Sequence, residues 1–145
     1  MNPVPAKFEK ILYTAVASAT SGRDGRIKSD DGALDMPVVP PKVLGGSGAP
    51  GTNPEQLFAA GYAACFGSAL ALMARMKKVQ TGPMTVTAKV SLGSTAHVYG
   101  LAVEMIAEIP DMPRDQALEL MQAAHQVCPY SNATRGNIEV SLTLA

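Results

Sequence analysis

The sequence predicts an α+β fold on three observations. Two helical patterns are interleaved with segments of period-two alternation; the chain is 47% hydrophobic against 17% charged; and its 145 residues suit one domain spanning 1–145.

In order along the chain, "KILYTAVASAT" (10–20) is β-branched and partly alternating and reads as a strand. "SGRDGR" follows as a Gly-bracketed turn with Arg23 and Arg26 at its two sides. "IKSDDGALDM" reads as a second short strand, a turn at Asp31-Gly32 and a third strand. Twelve of the next twenty residues, 37–56, are Gly, Pro, Ser, Thr or Asn, which predicts a long irregular loop of the kind that carries function. A helix then runs from about Pro54 to Lys77: Thr52 or Asn53 can cap it, Pro54 suits its first position, and Glu55 sits where the helix dipole favours an anion. It is apolar on nearly every side, which predicts burial all round and a partner subunit to supply it. "MTVTAKVSLGS" and "VYGLAVEMIAEI" alternate as two longer strands. "DMPRDQALELMQAAHQV" is a helix opened by Pro113, with Ala117, Leu120, Met121, Ala124 and Val127 on one face. Pro129 ends it, "YSNATRGN" is a polar link, and "IEVSLTLA" is the last strand. The order is β-β-β-α-β-β-α-β.

Composition narrows the partners. Twelve Lys and Arg balance twelve Asp and Glu, so nothing favours nucleic acid or an anionic membrane. The opening "MNPVPAKFEK" lacks the apolar run of a secretory signal, which leads us to expect a cytoplasmic protein. Leu57 to Ala74 carries no charge, but its Ala- and Gly-rich content reads as a buried soluble helix and not a membrane span.

The chemistry rests on Cys65 and Cys128, one on each helix and outside any CxxC pair. They meet only if the two helices pack together; otherwise they are two inert buried thiols. A metal site built from His125, Cys128 and Cys65 lacks a fourth ligand and the usual paired spacing, and His97 falls in a turn, so no metal is expected. A free thiol is about 3% ionised at pH 7, so a reactive Cys65 needs a neighbouring cation, best an arginine held by a carboxylate such as Glu55. Residue types alone leave Arg23, Arg26 and Arg135 open.

"TNPEQLFAAGYAACF" (52–66) and "HQVCPYSNATRGNIEVSLTL" (125–144) resemble the two cysteine motifs of the organic hydroperoxide resistance proteins, in the OsmC-like superfamily of thiol peroxidases. "LYTAVASATSGRDGR" and "LGGSGAPGTNPEQ" match that family's N-terminal pattern, so the resemblance runs from about Lys10 to Leu144. It implies an intertwined α+β homodimer, with central buried helices enclosed by β-sheets. It implies Cys65 as peroxidatic cysteine, Cys128 as resolving cysteine, Arg23 as the thiolate-activating arginine and Glu55 as its anchor. The implied activity is reduction of organic hydroperoxides, including those of fatty acids, to alcohols in oxidative-stress defence. The reductant would be an external dithiol, the dihydrolipoamide of a lipoylated protein, with no bound cofactor. An apolar pocket of Phe58, Tyr62, Leu72 and Pro50 is expected beside Cys65. The rival reading is a non-catalytic protein that binds an apolar ligand and carries inert thiols.

Overall fold

The computed structural model describes residues 8–145, so most of the opening segment read for a secretory signal lies outside them. The chain separates into two compact units, one up to Leu57 and the other Phe58–Ala145.

The first unit is a three-stranded antiparallel sheet of β1 (Ala17–Thr20), β2 (Gly25–Ser29) and β3 (Asp35–Val38), in that order. β1 is shorter than its β-branched sequence predicts. Ala17 pairs with Ser29, the last residue of β2, and one further bond, from the Asp30 N–H to the Val16 carbonyl, ends the pairing among the described residues. Ile11, Leu12 and Tyr13 are left exposed. β3 contains Pro37, tolerable because β3 is an edge strand. The long loop follows with a 3₁₀ turn at Lys42–Leu44, and returns to β3 through a parallel bridge between Val38 and Thr52.

α1 (Pro54–Lys77) starts as its sequence predicts, with Asn53 Oδ1 accepting from the Gln56 N–H at 2.8 Å. Its burial is one-sided. Tyr62, Phe66, Ala69, Leu70, Met73 and Ala74 enter the core, while Ala60, Ala64, Ser68, Leu72 and Met76 lie open on the opposite side. One chain therefore does not bury α1 all round as expected, because its layers cover a single face.

In the second unit, β4 (Thr85–Ser94) pairs antiparallel with β5 (Tyr99–Glu108), and β5 pairs parallel with β6 (Val140–Leu144). Period-two alternation places one apolar row after another across this sheet. Val90, Val103 and Val140 form one row, Ala88, Met105 and Leu142 the next, and Val86, Ala107 and Leu144 the third. The rows pack with α1 and with Ala117, Leu120, Met121 and Ala124 of α2 (Arg114–Val127) in one core cluster. On the sheet's other face Lys89 pairs with Glu104 across the strands at 3.1 Å.

Two details of the α2 end differ from expectation. Val127 is 41% exposed, because the chain leaves the helix there and turns Cys128 inward instead. The supposed polar link is a third helix, α3 (Pro129–Thr134), with Pro129 in its first turn. Ser131 and Thr134 face the core, and their hydroxyls are all hydrogen-bonded.

Candidate active site

In the first unit, Arg23 projects from the β1–β2 turn and meets Glu55 in the first turn of α1. The contact is bidentate, Nη2 to Oε1 at 2.7 Å and Nη1 to Oε2 at 3.0 Å. The hydrogen bond from Arg23 holds the Glu55 carboxyl below its usual range, and the same bond raises Arg23. The other two candidate arginines have different partners. Arg26 Nε bonds Asp35 at 2.7 Å, and Arg135 bonds Asn132 and the His125 carbonyl. Arg23 is the one of the three that meets Glu55.

In the second unit, Cys65 lies mid-way along α1 and Cys128 at the break between α2 and α3. Their sulfurs are 3.4 Å apart, with the Cys128 thiol placed to donate to Cys65 Sγ. Both are free thiols; Cys128 is fully buried and Cys65 partly so. A disulfide has its sulfurs about 2.0 Å apart, so closure requires an approach of about 1.4 Å.

Burial pushes the Cys65 thiol above its ordinary value, and the backbone N–H of Tyr130 pulls it partly back. No cation in this unit contributes among the described residues. Left to this unit, the Cys65 thiol is protonated at neutral pH.

The Tyr130 contribution could not be read from the sequence, since a backbone N–H carries no side-chain signature. Its one sequence trace is Gly61, one turn before Cys65. A Cβ there would stand 2.9 Å from the Tyr130 hydroxyl oxygen, so glycine is what lets this ring lie against α1. Phe58, Tyr62 and Tyr130 form an aromatic cluster, with ring centroids 5.7 to 6.0 Å apart.

Of the four residues expected to wall a pocket, Phe58 and Tyr62 stand together in that cluster. Phe58 lines a cavity of about 410 Å³ together with Leu101, Tyr130 and Ile138. Tyr62 is 0% exposed, its hydroxyl bonded to Ser131 at 2.8 Å. Leu72 is 40% exposed on the open face of α1, and Pro50 belongs to the first unit's loop. His125 does not join the thiols: its Nδ1 bonds Ser131 Oγ at 2.8 Å. Among the described residues no group of three His, Cys, Asp or Glu is placed to hold a metal.

Burial, and after it the charge of Arg135, hold His125 below the usual imidazole value. The folded chain thus favours the neutral ring, and the unfolded chain binds the proton more readily. The stability this contributes is complete above about pH 6.5 and is lost as pH falls through the lowered value. Urea unfolding at about pH 7.5 and 5.5 should show a smaller loss on acidification in His125→Asn than in the wild type. Equal losses would show that His125 does not sense this range.

Two free thiols in contact at a helix break, on an α+β scaffold, define a class of paired-cysteine protein. The family pattern of OsmC-like proteins matches residues 45–143. An organic hydroperoxide resistance protein of Xanthomonas axonopodis pv. citri (strain 306) is 51% identical over 141 residues, covering 97% of this chain and 99% of its own. The crystal structure of an organic hydroperoxide resistance protein from Elizabethkingia anophelis has 55% identity and a TM-score of 0.88, covering 94% of this chain and 98% of its own. That of the organic hydroperoxide resistance protein OhrB of Bacillus subtilis has 44% identity and a TM-score of 0.87, covering 93% and 100%. The chain belongs to the organic hydroperoxide resistance proteins of the OsmC-like family.

Proposed function

We propose that this chain is a cysteine-based peroxidase that reduces organic hydroperoxides to alcohols in oxidative-stress defence. The observation that carries the reading is the 3.4 Å contact between Cys65 and Cys128. The Cys65 thiolate attacks the distal peroxide oxygen, the O–O bond breaks, and the alkoxide takes a proton and leaves as alcohol. Cys65 is then a sulfenic acid. The Cys128 sulfur attacks that sulfenic sulfur; its proton and the hydroxyl depart as water, leaving a Cys65–Cys128 disulfide. An external dithiol reduces the disulfide in two exchange steps and is itself oxidised to a disulfide. Family resemblance makes this dithiol the dihydrolipoamide of a lipoylated protein, and no bound cofactor is invoked.

Arg23, anchored by Glu55, serves as the cation that ionises Cys65 and donates to the peroxide as charge moves onto it. Its support is the bidentate pair and the family resemblance of the "GRDGR" turn. The two units are read as parts of one domain, a reading that the family match at 45–143, running across Leu57, supports. The working form is a homodimer in the cytoplasm: exposed Ile11, Leu12 and Tyr13 and the open apolar side of α1 supply surface for a second copy.

A thiol count tests the reading. One equivalent of a fatty-acid hydroperoxide should remove two thiols per chain, and a dithiol should restore both. A carrier with inert thiols would lose none. Selectivity follows from the cavity beside Phe58 and Tyr130. Four CH₂ groups buried there, at about 0.8 kcal/mol each, give roughly a hundredfold preference in kcat/KM over hydrogen peroxide. Equal kcat/KM for a long-chain hydroperoxide and hydrogen peroxide would remove the apolar pocket from the mechanism.

A further inference from the structure

A chain of hydrogen bonds, buried at Tyr62, Ser131 and Thr134 and partly buried at His125, links the helices that carry the two cysteines without touching either sulfur. His125 Nδ1 and Ser131 Oγ are 2.8 Å apart, and Ser131 Oγ and the Tyr62 hydroxyl are also 2.8 Å apart. Thr134 Oγ1 lies 3.3 Å from the same Tyr62 oxygen and donates to the Ser131 carbonyl at 3.2 Å. The three central members stand at one interval from the thiols. His125 is three residues before Cys128, Ser131 three after it, and Tyr62 three before Cys65. The first bond therefore spans the break between α2 and α3, where Cys128 has extended backbone (φ −63°, ψ 123°). The second ties that break to α1. Arg135 adds an outer strap by donating to the His125 carbonyl and to Asn132 Oδ1.

Packing alone does not call for this chain. A phenylalanine would fill the Tyr62 site, and an apolar residue would fill the fully buried Ser131 site, without a polar atom to satisfy. What a satisfied buried network adds is a single defined geometry. The geometry it defines is the position of Cys128 against Cys65.

We propose that His125, Ser131 and Tyr62 are positioning residues for disulfide closure, holding the α2–α3 break so that Cys128 meets the Cys65 sulfenic acid. This rests on the peroxidase reading and deepens it. The network acts on the second step only, because attack on the peroxide needs Cys65 alone.

The test is a stoichiometric pulse of organic hydroperoxide to the full-length reduced protein. Peroxide loss reports the first step, and capture by dimedone against disulfide closure reports the second. Ser131→Ala should form sulfenic acid within about twofold of the wild-type rate yet close its disulfide at least tenfold more slowly, since small misplacements of reacting groups cost large factors. Dimedone capture should rise accordingly. Tyr62→Phe should show the same slow closure, and it carries the test should Ser131→Ala fail to fold. His125→Leu should also close slowly, whereas His125→Asn, whose short amide can still reach Ser131, should recover most of the rate. Normal closure in Ser131→Ala and Tyr62→Phe, even with a lowered melting temperature, would overturn the inference and leave the peroxidase intact. A wild-type protein that forms no sulfenic acid would overturn both.

Discussion

Replacing Cys65 by serine should abolish hydroperoxide turnover, a loss on the order of a thousandfold or more, as expected when a nucleophile is removed. Cys128→Ser should instead consume one equivalent of peroxide and stop. The asymmetry follows from the order of events. Attack on the O–O bond requires one ionised sulfur, while resolution requires a second thiol within reach. Cys128 is fully buried and Cys65 is not, which also favours Cys65 as the sulfur that peroxide meets first. Single-turnover peroxide consumption, with mass analysis of the trapped sulfenic acid, checks both variants. An active Cys65→Ser protein, or a Cys128→Ser protein with no first turnover, would reverse the two roles.

Arg23→Ala should slow peroxide attack by a few thousandfold. Burial lifts the Cys65 thiol, so without a cation no more than about 3% is thiolate at pH 7. Loss of donors to the developing charge adds about a hundredfold. The fold should scarcely notice, because the Arg23 side chain is 48% exposed. Arg23→Lys should recover part of the rate, restoring charge without the planar fork that holds both oxygens of Glu55. Glu55→Ala should give a milder defect, with the cation present but unanchored. The pH dependence of Cys65 alkylation in the four proteins measures this directly. An unchanged Cys65 profile and rate in Arg23→Ala would move the role to another cation.

Much of the scaffold could be read from the residues. The Asn53 cap and Pro54 start of α1, the apolar face of α2 and the alternation of β4 to β6 each express a local rule that tertiary packing leaves intact. α3 is hidden because its core-facing residues are Ser131 and Thr134, polar types whose hydroxyls find a shared partner in Tyr62, distant in sequence. Its traces were Pro129 at the start and Gly136, with φ +77°, just past the end. β1 is shorter than its pattern since propensity does not say where a partner strand stops. The joining of Cys65 to Cys128 came from family resemblance, as no spacing rule links two lone cysteines on separate helices. The Arg23–Glu55 contact was likewise beyond local pattern, being made across 32 residues.

The separation of 3.4 Å between the two sulfurs also bears on how such a protein would wear out. A sulfenic acid has two fates: condensation with a thiol, or a second encounter with peroxide that carries it to the irreversible sulfinic state. The first is intramolecular and does not depend on peroxide, while the second grows in proportion to it. With the partner thiol already at contact, condensation runs at a very high effective concentration. The peroxide level at which molecules begin to be lost is then the level at which a second encounter matches that closure rate. Fractions of an ångström at one helix break would thus set the oxidant dose the protein survives.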